Sequence, residues 1–447
     1  MIGAGWSGLA AAWQLARAGR QVVLIEAASN PGGRARTLSL DGASLDNGQH
    51  ILVGACRQVL AQMQSVGVNP SDVLEPLPFG LHMRELVPDH EPRLRAMAPH
   101  STRPWHLATA LYRFLDGEKR SSRLAALLGV IRMLNGSLPH DRPVLEWLRH
   151  TRQTPGAIRQ LWDPLCLAVM NTPTATASAR LFRNVLRQTL LGTEQDARLL
   201  IPTRSLGELF PDPALASLRA AGADVRMSTR LVRIDRIGPS VFGLLLSNGE
   251  RLRARQVILA TTPRSAERLL PRSMALDSAR GALSALGARS ICTVYLHYAT
   301  PLTGLRPLTG LLNQHGQWLV PRALSGEPHW LAVVISAAET HPEPDAEPRW
   351  RRVARELAAT FPKLGMPDRA RVICERFATF DARTGIDDLR PNVRTPMPGV
   401  YLAGDYCVRG LPSTLEAAVQ GGLQAAAACL ADTEGEESRS LRAGANF

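Results

Sequence analysis

An α/β fold is predicted by three stretches of this chain, each of which joins a short apolar strand to a glycine-rich turn. The first is a G-x-G-x-x-G loop at residues 3–8, followed by a helical run and by the apolar strand 22–25. The second is a β-meander over 224–254 that leads into the apolar strand 256–260. The third is the apolar strand 399–403, which ends beside Gly-Asp. Short, fully apolar strands connected through helices are typical of the parallel sheets of Rossmann-like folds.

The glycine-rich loop near the N-terminus has the residues that binding a dinucleotide pyrophosphate requires. Gly3 and Gly5 let the backbone turn and approach the anion, and Gly8 lets the following helix pack closely on the strand. The N-terminus of that helix, where Ser7 lies, faces the anion. Glu26 ends the next strand about 20 residues later, where a carboxylate can bind ribose hydroxyls. The loop therefore predicts a dinucleotide site.

Only Met1 and Ile2 precede this loop. A Rossmann loop normally follows a buried strand of several apolar residues. We therefore expect Ile2 to be the end of a central strand and the native chain to begin several codons upstream.

A second glycine-rich segment bears on whether the dinucleotide is NAD or FAD. After Glu26 and Ala27 the chain reaches Gly33-Arg34, a glycine–arginine pair that can wrap the pyrophosphate from its other side. Taken alone, the pair is explained equally well by a solvent-exposed Gly-Arg loop. The decision between the two dinucleotides therefore depends on the C-terminal part of the chain.

The C-terminal motif favours FAD. Asp405, which follows Gly404 at the end of a buried strand, can accept a hydrogen bond from a flavin ribityl hydroxyl. Thr414 and Leu415 then begin a helix rich in small residues, whose N-terminal amides can face the negatively charged edge of a reduced flavin. A plain strand–loop–helix would explain this segment by itself, but together with the N-terminal motifs it predicts FAD as the cofactor.

Length and composition favour two domains and argue against several kinds of site. A chain of 447 residues is too long for one simple core, and its 45% hydrophobic residues are ordinary for a globular protein. No apolar run reaches the ~18–20 residues of a membrane span. The six cysteines are scattered without a C-x-x-C pair, which argues against a metal site and a disulfide framework and fits a reducing cytoplasm.

The net charge of +13 comes almost entirely from arginine, because Lys119 and Lys363 are the only lysines. No basic stripe with interleaved aromatic residues accompanies this charge, so nucleic acid is not an expected partner. Two explanations stay open: a compositional bias toward arginine and alanine, and attraction to an anionic membrane surface.

Four stretches of the chain together resemble one group of flavoproteins. The N-terminal glycine loop and the segment 404–416 are features of the whole amine oxidase–phytoene desaturase superfamily. Leu45–Gly54, with Asp-Asn-Gly-Gln-His, and Leu161–Thr172, with Pro-Leu-Cys-Leu-Ala before Asn-Thr, are more specific. With them the chain resembles the squalene-associated FAD-dependent desaturases, a family that includes the hydroxysqualene dehydroxylases of hopanoid biosynthesis.

This resemblance implies an FAD-dependent oxidoreductase that converts hydroxysqualene to squalene and water with hydride from reduced flavin. It implies a long apolar isoprenoid as substrate, a cytoplasmic location, and peripheral contact of arginine-flanked helices with the anionic inner face of the cell membrane. The alternatives are a flavoprotein of the carotenoid desaturase, protoporphyrinogen oxidase or amine oxidase type, and a non-catalytic isoprenoid-binding carrier. Two lysines and 5% aromatic residues fit an amine oxidase poorly, because such enzymes usually have a lysine and an aromatic cage beside the flavin.

The resemblance also places the segment after the glycine–arginine loop near the isoalloxazine ring. Gly48 is implied at the cofactor, and Asn47, Gln49 and His50 are candidate catalytic residues. His50 is the natural proton donor at neutral pH, although a hydrogen-bonded structural histidine is the commoner role.

Three further positions follow from the same resemblance. Val232 stands where the family has a backbone that faces the adenine. Cys166 and Asn171 are candidates to line the substrate side of the site. For Cys166 the alternative is a small buried hydrophobic residue, which is the usual role of a free cysteine.

The predicted architecture is a two-dinucleotide-binding, Rossmann-like FAD domain with a β-meander, combined with a discontinuous α+β substrate domain rich in helices. The FAD-binding domain is predicted to comprise residues 1–75, 195–270 and 371–431. The substrate domain is predicted to comprise residues 76–194 and 271–370, and a flexible tail to cover 432–447.

Overall fold

The computed structural model describes residues 1–87, 90–99, 101, 103–341 and 347–444, and for 435–444 it describes the backbone only. The strands, numbered in chain order, are β1 Val23–Ile25, β2 Thr37–Leu40, β3 Ala43–Asp46, β4 Leu52–Val53, β5 Leu74–Leu77, β6 Leu81–Glu85, β7 Arg93–Met97, β8 Leu199–Pro202, β9 Asp224–Arg226, β10 Leu231–Gly238, β11 Val241–Leu246, β12 Arg251–Ala254, β13 Val257–Leu259, β14 Arg289–His297, β15 Thr309–Leu312, β16 Trp318–Pro321, β17 Trp330–Ser336, β18 Arg369–Thr379 and β19 Val400–Leu402.

The α-helices, also in chain order, are α1 Trp6–Arg17, α2 Arg57–Ser65, α3 Pro70–Val73, α4 Pro104–Phe114, α5 Arg120–Asn135, α6 Val144–His150, α7 Pro155–Ala157, α8 Asp163–Met170, α9 Ala179–Leu190, α10 Glu194–Ala197, α11 Leu206–Leu209, α12 Pro211–Ala220, α13 Pro263–Leu269, α14 Asp277–Ala285, α15 Arg349–Thr360, α16 Ile386–Leu389 and α17 Leu415–Gly444. A π-helical turn, Ile158–Trp162, joins α7 to α8. No helix within the described ranges has both the length and the apolar composition that crossing a bilayer requires.

A parallel sheet forms the nucleotide-binding half of the molecule, in the order β9–β1–Ile2–β13–β19. Ile2 bridges β1 and β13: its amide donates to the carbonyl of Ile258 over 2.9 Å, and its carbonyl accepts from the amide of Ala260 over 2.8 Å. This confirms Ile2 as part of a central strand. The glycine loop consequently leaves the sheet at the carboxyl edge of the strands, where ligands bind in α/β folds.

Small residues bring the helices close to this sheet. The buried alanines of α1 and α17 pack with Leu24 and Ile258 in one apolar cluster. Gly422 of α17 lies against the backbone of Ser7, so that a Cβ at this position would collide with it. The close approach of α17 to the start of α1 brings the first and last motifs of the sequence to the same edge of the sheet.

The meander β10–β11–β12 is antiparallel and lies where the sequence predicts it. Its tight turn at Asn248-Gly249 depends on the positive φ of +85° at Gly249. The parallel sheet, the meander and the helices that cover them confirm the predicted α/β fold of the two-dinucleotide-binding type.

A seven-stranded mixed sheet forms the other half, in the order β18–β14–β17–β16–β15–β6–β7. The helices α4 to α9 cover residues 104–190, within the segment 76–194 of the predicted helix-rich substrate domain. The predicted boundary at residue 371 falls inside β18, a strand of this large sheet. The predicted start of a flexible tail at 432 falls inside α17, which continues as a helix to Gly444.

The structure corrects the expectation, drawn from cysteine spacing, that the cysteines form no disulfide framework. Cys292 of β14 and Cys374 of β18 are directly opposite each other in the antiparallel register and form a disulfide, with Cα atoms 4.1 Å apart. The expectation fails because the two cysteines are 82 residues apart in sequence, and only the strand register brings them together.

Candidate active site

One large cavity, of about 1520 Å³, extends from the glycine loop of the parallel sheet to the helical layer over the seven-stranded sheet. Most of the predicted cofactor residues line it: Gly3, Gly5, Ser7, Glu26, Ala27, Gly33, Arg34, Gly48, Val232, Gly404, Asp405, Thr414 and Leu415. The structure thus brings together residues that are more than 400 positions apart in sequence.

At the nucleotide end, the glycine loop is fixed by Glu26. Its two carboxylate oxygens accept from the amides of Ala4, over 2.6 Å, and Ala28, over 2.8 Å. A carboxylate has about four lone-pair sites, so Glu26 can still accept from ribose hydroxyls. The hydroxyl of Ser7 is buried against the cavity and has no hydrogen-bond partner within the described residues. An unpaired buried hydroxyl at this position suits a phosphate oxygen.

Two glycines leave room for the pyrophosphate, and a third serves packing. Gly33 has a φ of +62°, and a Cβ on it would be 3.1 Å from the Cα of Gly5, so the two backbones face each other across a narrow gap. Gly8 does not line the cavity. A Cβ on Gly8 would collide with the carbonyl of Gly3 and come within 3.1 Å of the Cβ of Ala260, which is the close helix–strand packing that the motif predicts.

Arg34 and Asp405 form an ion pair deep in the cavity wall. The Nη2 of Arg34 is 2.5 Å from Oδ1 of Asp405, and its Nη1 donates to the carbonyl of Ala378 over 2.8 Å. Burial opposes the charged form of both groups, but their mutual attraction outweighs it, so that the pKa of Arg34 is raised and the pKa of Asp405 is lowered. The pair is therefore held in its charged form beside the place where a ribityl chain would run.

The start of α17 completes this wall. The hydroxyl of Thr414 accepts from the amide of Ala417 over 3.1 Å and so caps the helix. Glu416, the acid of the same motif, instead binds the amides of Gln58 and Val59 at the N-terminus of α2. Its role in the motif is therefore to join two helices, while Thr414 and Leu415 face the cavity.

The segment 47–50 lines the cavity between the two halves of the molecule. The side-chain Nδ2 of Asn47 donates to the carbonyl of Arg34 over 2.9 Å and to Oε2 of Glu375 over 3.4 Å. Gly48 has a φ of +94°, which turns the chain back toward the cavity. All three candidate catalytic residues, Asn47, Gln49 and His50, line the cavity.

His50 lies deep in the protein, although its ring is partly accessible because it faces the cavity. Burial lowers the pKa of the imidazole, and the attraction of Asp46 and a contact of Nδ1 with the carbonyl of Gly48 at 3.4 Å offset this only in part. His50 is therefore neutral at neutral pH, and as a proton donor it must first take up a proton.

A buried network behind this segment is absent from the sequence predictions. Nη2 of Arg322 is 2.9 Å from Oδ2 of Asp46, and the two side chains are only 4% and 2% exposed. Nη1 of Arg322 donates to Oε1 of Gln49 over 2.8 Å, and the side-chain Nε2 of Gln49 donates to the hydroxyl of Tyr295 over 2.7 Å. The Tyr295 hydroxyl donates to the carbonyl of Asp46 over 2.8 Å, which closes the network. Gln49 is thus held by the seven-stranded sheet.

The two candidate substrate residues differ in their placement. Asn171 lines the cavity and adopts a left-handed conformation at the end of α8, with a φ of +48°. Its side chain donates to the hydroxyl of Thr379 over 3.0 Å and accepts from the amide of Ala337 over 2.7 Å. Cys166 lies outside the cavity lining; it is fully buried, and its thiol contacts the carbonyl of Thr172 at 3.5 Å. The structure therefore places Cys166 in the core and not beside the substrate.

Beyond the polar segment, the cavity continues as an apolar arm between the helices of the 104–190 region. Its walls are aliphatic side chains of α4, α5, α8 and α9: Leu107, Leu111, Leu127, Val130, Ile131, Leu134, Leu165, Val169, Leu186 and Leu190. Together with the polar end, this arm gives a cavity that suits one charged dinucleotide and one long apolar molecule.

The residues at the polar end fit FAD. Ser7 and the facing glycines would hold the pyrophosphate, Glu26 the adenosine ribose, and Asp405 the ribityl chain. The amides at the start of α17 would face the flavin ring. Val232, exposed to the cavity at its nucleotide end, would lie beside the adenine.

Comparison with known proteins agrees with this fit. The model of the family of flavin-containing amine oxidoreductases matches residues 6–430. The chain is 30% identical to hydroxysqualene dehydroxylase from Rhodopseudomonas palustris, with 96% of this chain and 98% of the relative covered. It is 28% identical to hydroxysqualene dehydroxylase from Sinorhizobium fredii, with 97% and 98% covered.

A solved structure shows the same fold. Cyclohexylamine oxidase from Brevibacterium oxydans superposes with a TM-score of 0.68, at 19% identity and with 97% of this chain and 98% of that chain covered. The fold, the cavity and the matches along nearly the whole length lead to one conclusion. The chain is an FAD-dependent oxidoreductase that belongs to the family of flavin-containing amine oxidoreductases and, within it, groups with the hydroxysqualene dehydroxylases.

Proposed function

We propose that this enzyme reduces hydroxysqualene to squalene and water in the formation of squalene for hopanoids. The observation that carries the proposal is the shape of the cavity, which joins an FAD-binding end to an arm walled by aliphatic side chains. Its volume of about 1520 Å³ exceeds the roughly 300–1,000 Å³ of sites for one drug-sized ligand. A long isoprenoid chain is the kind of substrate that needs such an arm beside a cofactor.

In the proposed reaction, the allylic hydroxyl is protonated, the C–O bond breaks with its electron pair going to oxygen, and water leaves. Reduced FAD, when bound, supplies the hydride that forms the new C–H bond and is itself oxidised. The protein must bring a proton to the hydroxyl, hold the chain and exclude bulk water. His50 faces the cavity and is the candidate proton donor, while the arm holds the chain away from solvent.

The site supports an isoprenoid substrate better than an amine. Lys119 precedes α5 and Lys363 follows α15, so neither lysine of the chain lies at the cavity. The position beside Glu375 on the neighbouring strand is occupied by Ile291, whose side chain lines the cavity. An apolar side chain there favours a hydrocarbon over an amine.

We further propose that the enzyme takes its substrate from an anionic membrane. Five apolar side chains, here called the mouth patch, are 49–58% exposed on the helices that wall the arm, at α4, α5 and the end of α9: Trp105, Leu124, Leu128, Ile131 and Leu191. Ile131 and Leu191 also line the cavity, so the patch is continuous with the arm. The exposed Arg120 and Arg132 of α5 lie beside it and suit anionic headgroups.

Vesicle binding tests the membrane part of the proposal. The holoenzyme should sediment with vesicles of phosphatidylcholine and phosphatidylglycerol, and Leu128→Asp should abolish this binding. Met274→Asp is the matched control, because Met274 is an exposed apolar residue outside the mouth patch. Equal loss in both variants, or no loss in Leu128→Asp, would contradict a role for the patch.

Anaerobic turnover tests the reaction itself. The holoenzyme, reduced with dithionite, is incubated with hydroxysqualene, and the extract is separated by chromatography. Formation of squalene together with reoxidation of the flavin absorbance is the expected result. Failure to form squalene, with conversion of phytoene or of an amine instead, would show that the enzyme is a desaturase or an oxidase and would overturn the proposal.

A further inference from the structure

Three carboxylates line the cavity within the described part of the chain, and two of them have evident roles at the cofactor end. Glu26 binds the glycine loop, and Asp405 is paired with Arg34. The third is Glu375, which lies in the cavity wall and forms no direct ion pair among the described residues. A carboxylate beside apolar side chains is costly unless it is paired or hydrogen-bonded.

The carboxylate of Glu375 is oriented by two N–H groups. Oε2 accepts from the side-chain Nδ2 of Asn47 over 3.4 Å, and Oε1 accepts from the backbone amide of Phe377 over 3.2 Å. Arg34 lies near enough for its charge and that of Glu375 to favour each other. These donors hold the carboxylate of Glu375 in a fixed position.

The immediate surroundings of Glu375 in the sheet are apolar apart from one hydroxyl. Ile373 on β18 and Ile291 on β14 line the cavity on either side of it. Thr293 lies on the same face, and its hydroxyl is buried at the cavity without a hydrogen-bond partner among the described residues. A fixed charge acts strongly in such a low-dielectric setting. The unpaired Thr293 hydroxyl can bind a polar group of a molecule in the cavity.

From this geometry we propose that Glu375 is a catalytic residue whose carboxylate stabilises the carbocation formed when the C–O bond of the substrate breaks. The inference rests on the proposed dehydroxylation. A proton donor, for which His50 is the candidate, protonates the hydroxyl, and water leaves with the electron pair of the C–O bond. The positive charge left on the allylic carbons faces Glu375 until hydride from reduced FAD neutralises it. Glu375 itself neither gains nor loses a proton.

Binding of a charged substrate mimic tests this without any turnover. The probe is a tertiary amine of squalene length with nitrogen in place of the carbinol carbon, which is protonated at neutral pH and resembles the cation. Titrated into the oxidised holoenzyme and followed by flavin absorbance, it should bind at least tenfold more weakly to Glu375→Gln than to the wild type. Squalene, which is uncharged, should bind equally to both.

Arg376→Gln is the matched control, since it changes one charge on the adjacent residue of β18, an exposed position that does not line the cavity. It should leave amine binding unchanged. Equal amine affinity in the wild type and Glu375→Gln would overturn the inference, and so would an equal loss for amine and squalene. If Glu375→Gln does not retain FAD, Glu375→Asp replaces it, because this variant keeps the charge but moves it away from the cavity. Glu375→Asp should show a smaller loss of amine affinity, and no loss in this variant would also overturn the inference.

Single-turnover kinetics separate this inference from the proposed function. Glu375→Gln should slow reoxidation of the reduced flavin by hydroxysqualene about 10²-fold, as removal of one electrostatic stabiliser does. Reoxidation by a soluble quinone should be unchanged, because that reaction forms no carbocation. If the wild type makes no squalene, the proposed function fails; if it does and Glu375→Gln is equally fast, only the role of Glu375 fails.

Discussion

The buried ion pair of Asp46 and Arg322 allows a quantitative prediction. Arg322→Met removes the cation and leaves the Asp46 carboxylate in the core. Among the described residues, the donors that remain to its Oδ1 are the hydroxyl of Thr37 at 3.2 Å and the backbone amide of Leu206 at 3.0 Å. The substitution also deprives Gln49 of the donor to its side-chain oxygen. Removal of one partner from a buried pair costs about 3–5 kcal/mol, because the other charge stays buried without compensation.

Equilibrium unfolding of the FAD-loaded protein in urea, followed by circular dichroism, measures this loss. Arg371→Met is the matched control: Nη2 of Arg371 is 2.8 Å from Oδ1 of Asp41, and the side chains are 47% and 25% exposed. A surface pair of this kind contributes at most about 1 kcal/mol. The double variant Asp46→Asn, Arg322→Met should regain much of the lost stability. Losses of similar size in Arg322→Met and Arg371→Met would refute the reasoning, since the first pair is buried and the second is exposed.

Three further variants test the cofactor end and the candidate proton donor. Gly8→Ala should lower FAD occupancy at least tenfold, because its Cβ collides with the Gly3 carbonyl, whereas Gly281→Ala in open space on α14 should leave occupancy unchanged; flavin absorbance per protein measures both. Asp405→Asn leaves Arg34 without its ion-pair partner and should weaken FAD binding about tenfold in fluorescence titrations; undiminished affinity would contradict the pairing. Because the pKa of His50 is lowered, the unfolded chain binds more protons than the folded chain just below pH 6.5. The free energy of unfolding should therefore fall in that range as the pH falls. His50→Gln should remove part of this decline.

The nucleotide-binding half could be predicted from sequence because its chemistry lies in contiguous motifs. The turns that bind phosphate require positive φ or close backbone approach, which only glycine permits, so Gly3 at +101° and Gly33 at +62° are visible as sequence signals. The strands next to these turns are short and wholly apolar, which identifies them as parallel and buried.

The substrate side could not be predicted in the same way, because strand register assembles it. Glu375 lies 328 residues from Asn47, and Arg322 lies 276 residues from Asp46. Neither residue stands in a motif, and a single sequence contains no signal that β14 and β18 are neighbours. For the same reason, the disulfide between Cys292 on β14 and Cys374 on β18 could not be predicted from the sequence. The family resemblance left both Cys166 and Asn171 as candidates, and only the packing of α8 and its C-terminal end shows that Asn171 lines the cavity and Cys166 does not.

Asn47 contacts both the part of the site that the sequence reveals and the part that it does not. It lies in a segment that the sequence motifs identify. Its side-chain Nδ2 donates both to the carbonyl of Arg34 and to the carboxylate of Glu375. The arginine belongs to the loop that would hold FAD, and the glutamate belongs to the sheet that forms the substrate wall. Because ligand sites form preferentially where domains meet, the reaction is expected at this contact. The position of the carboxylate relative to the flavin is therefore set by the packing of the two halves, so a change at their interface should alter the rate of the chemical step before it alters FAD binding.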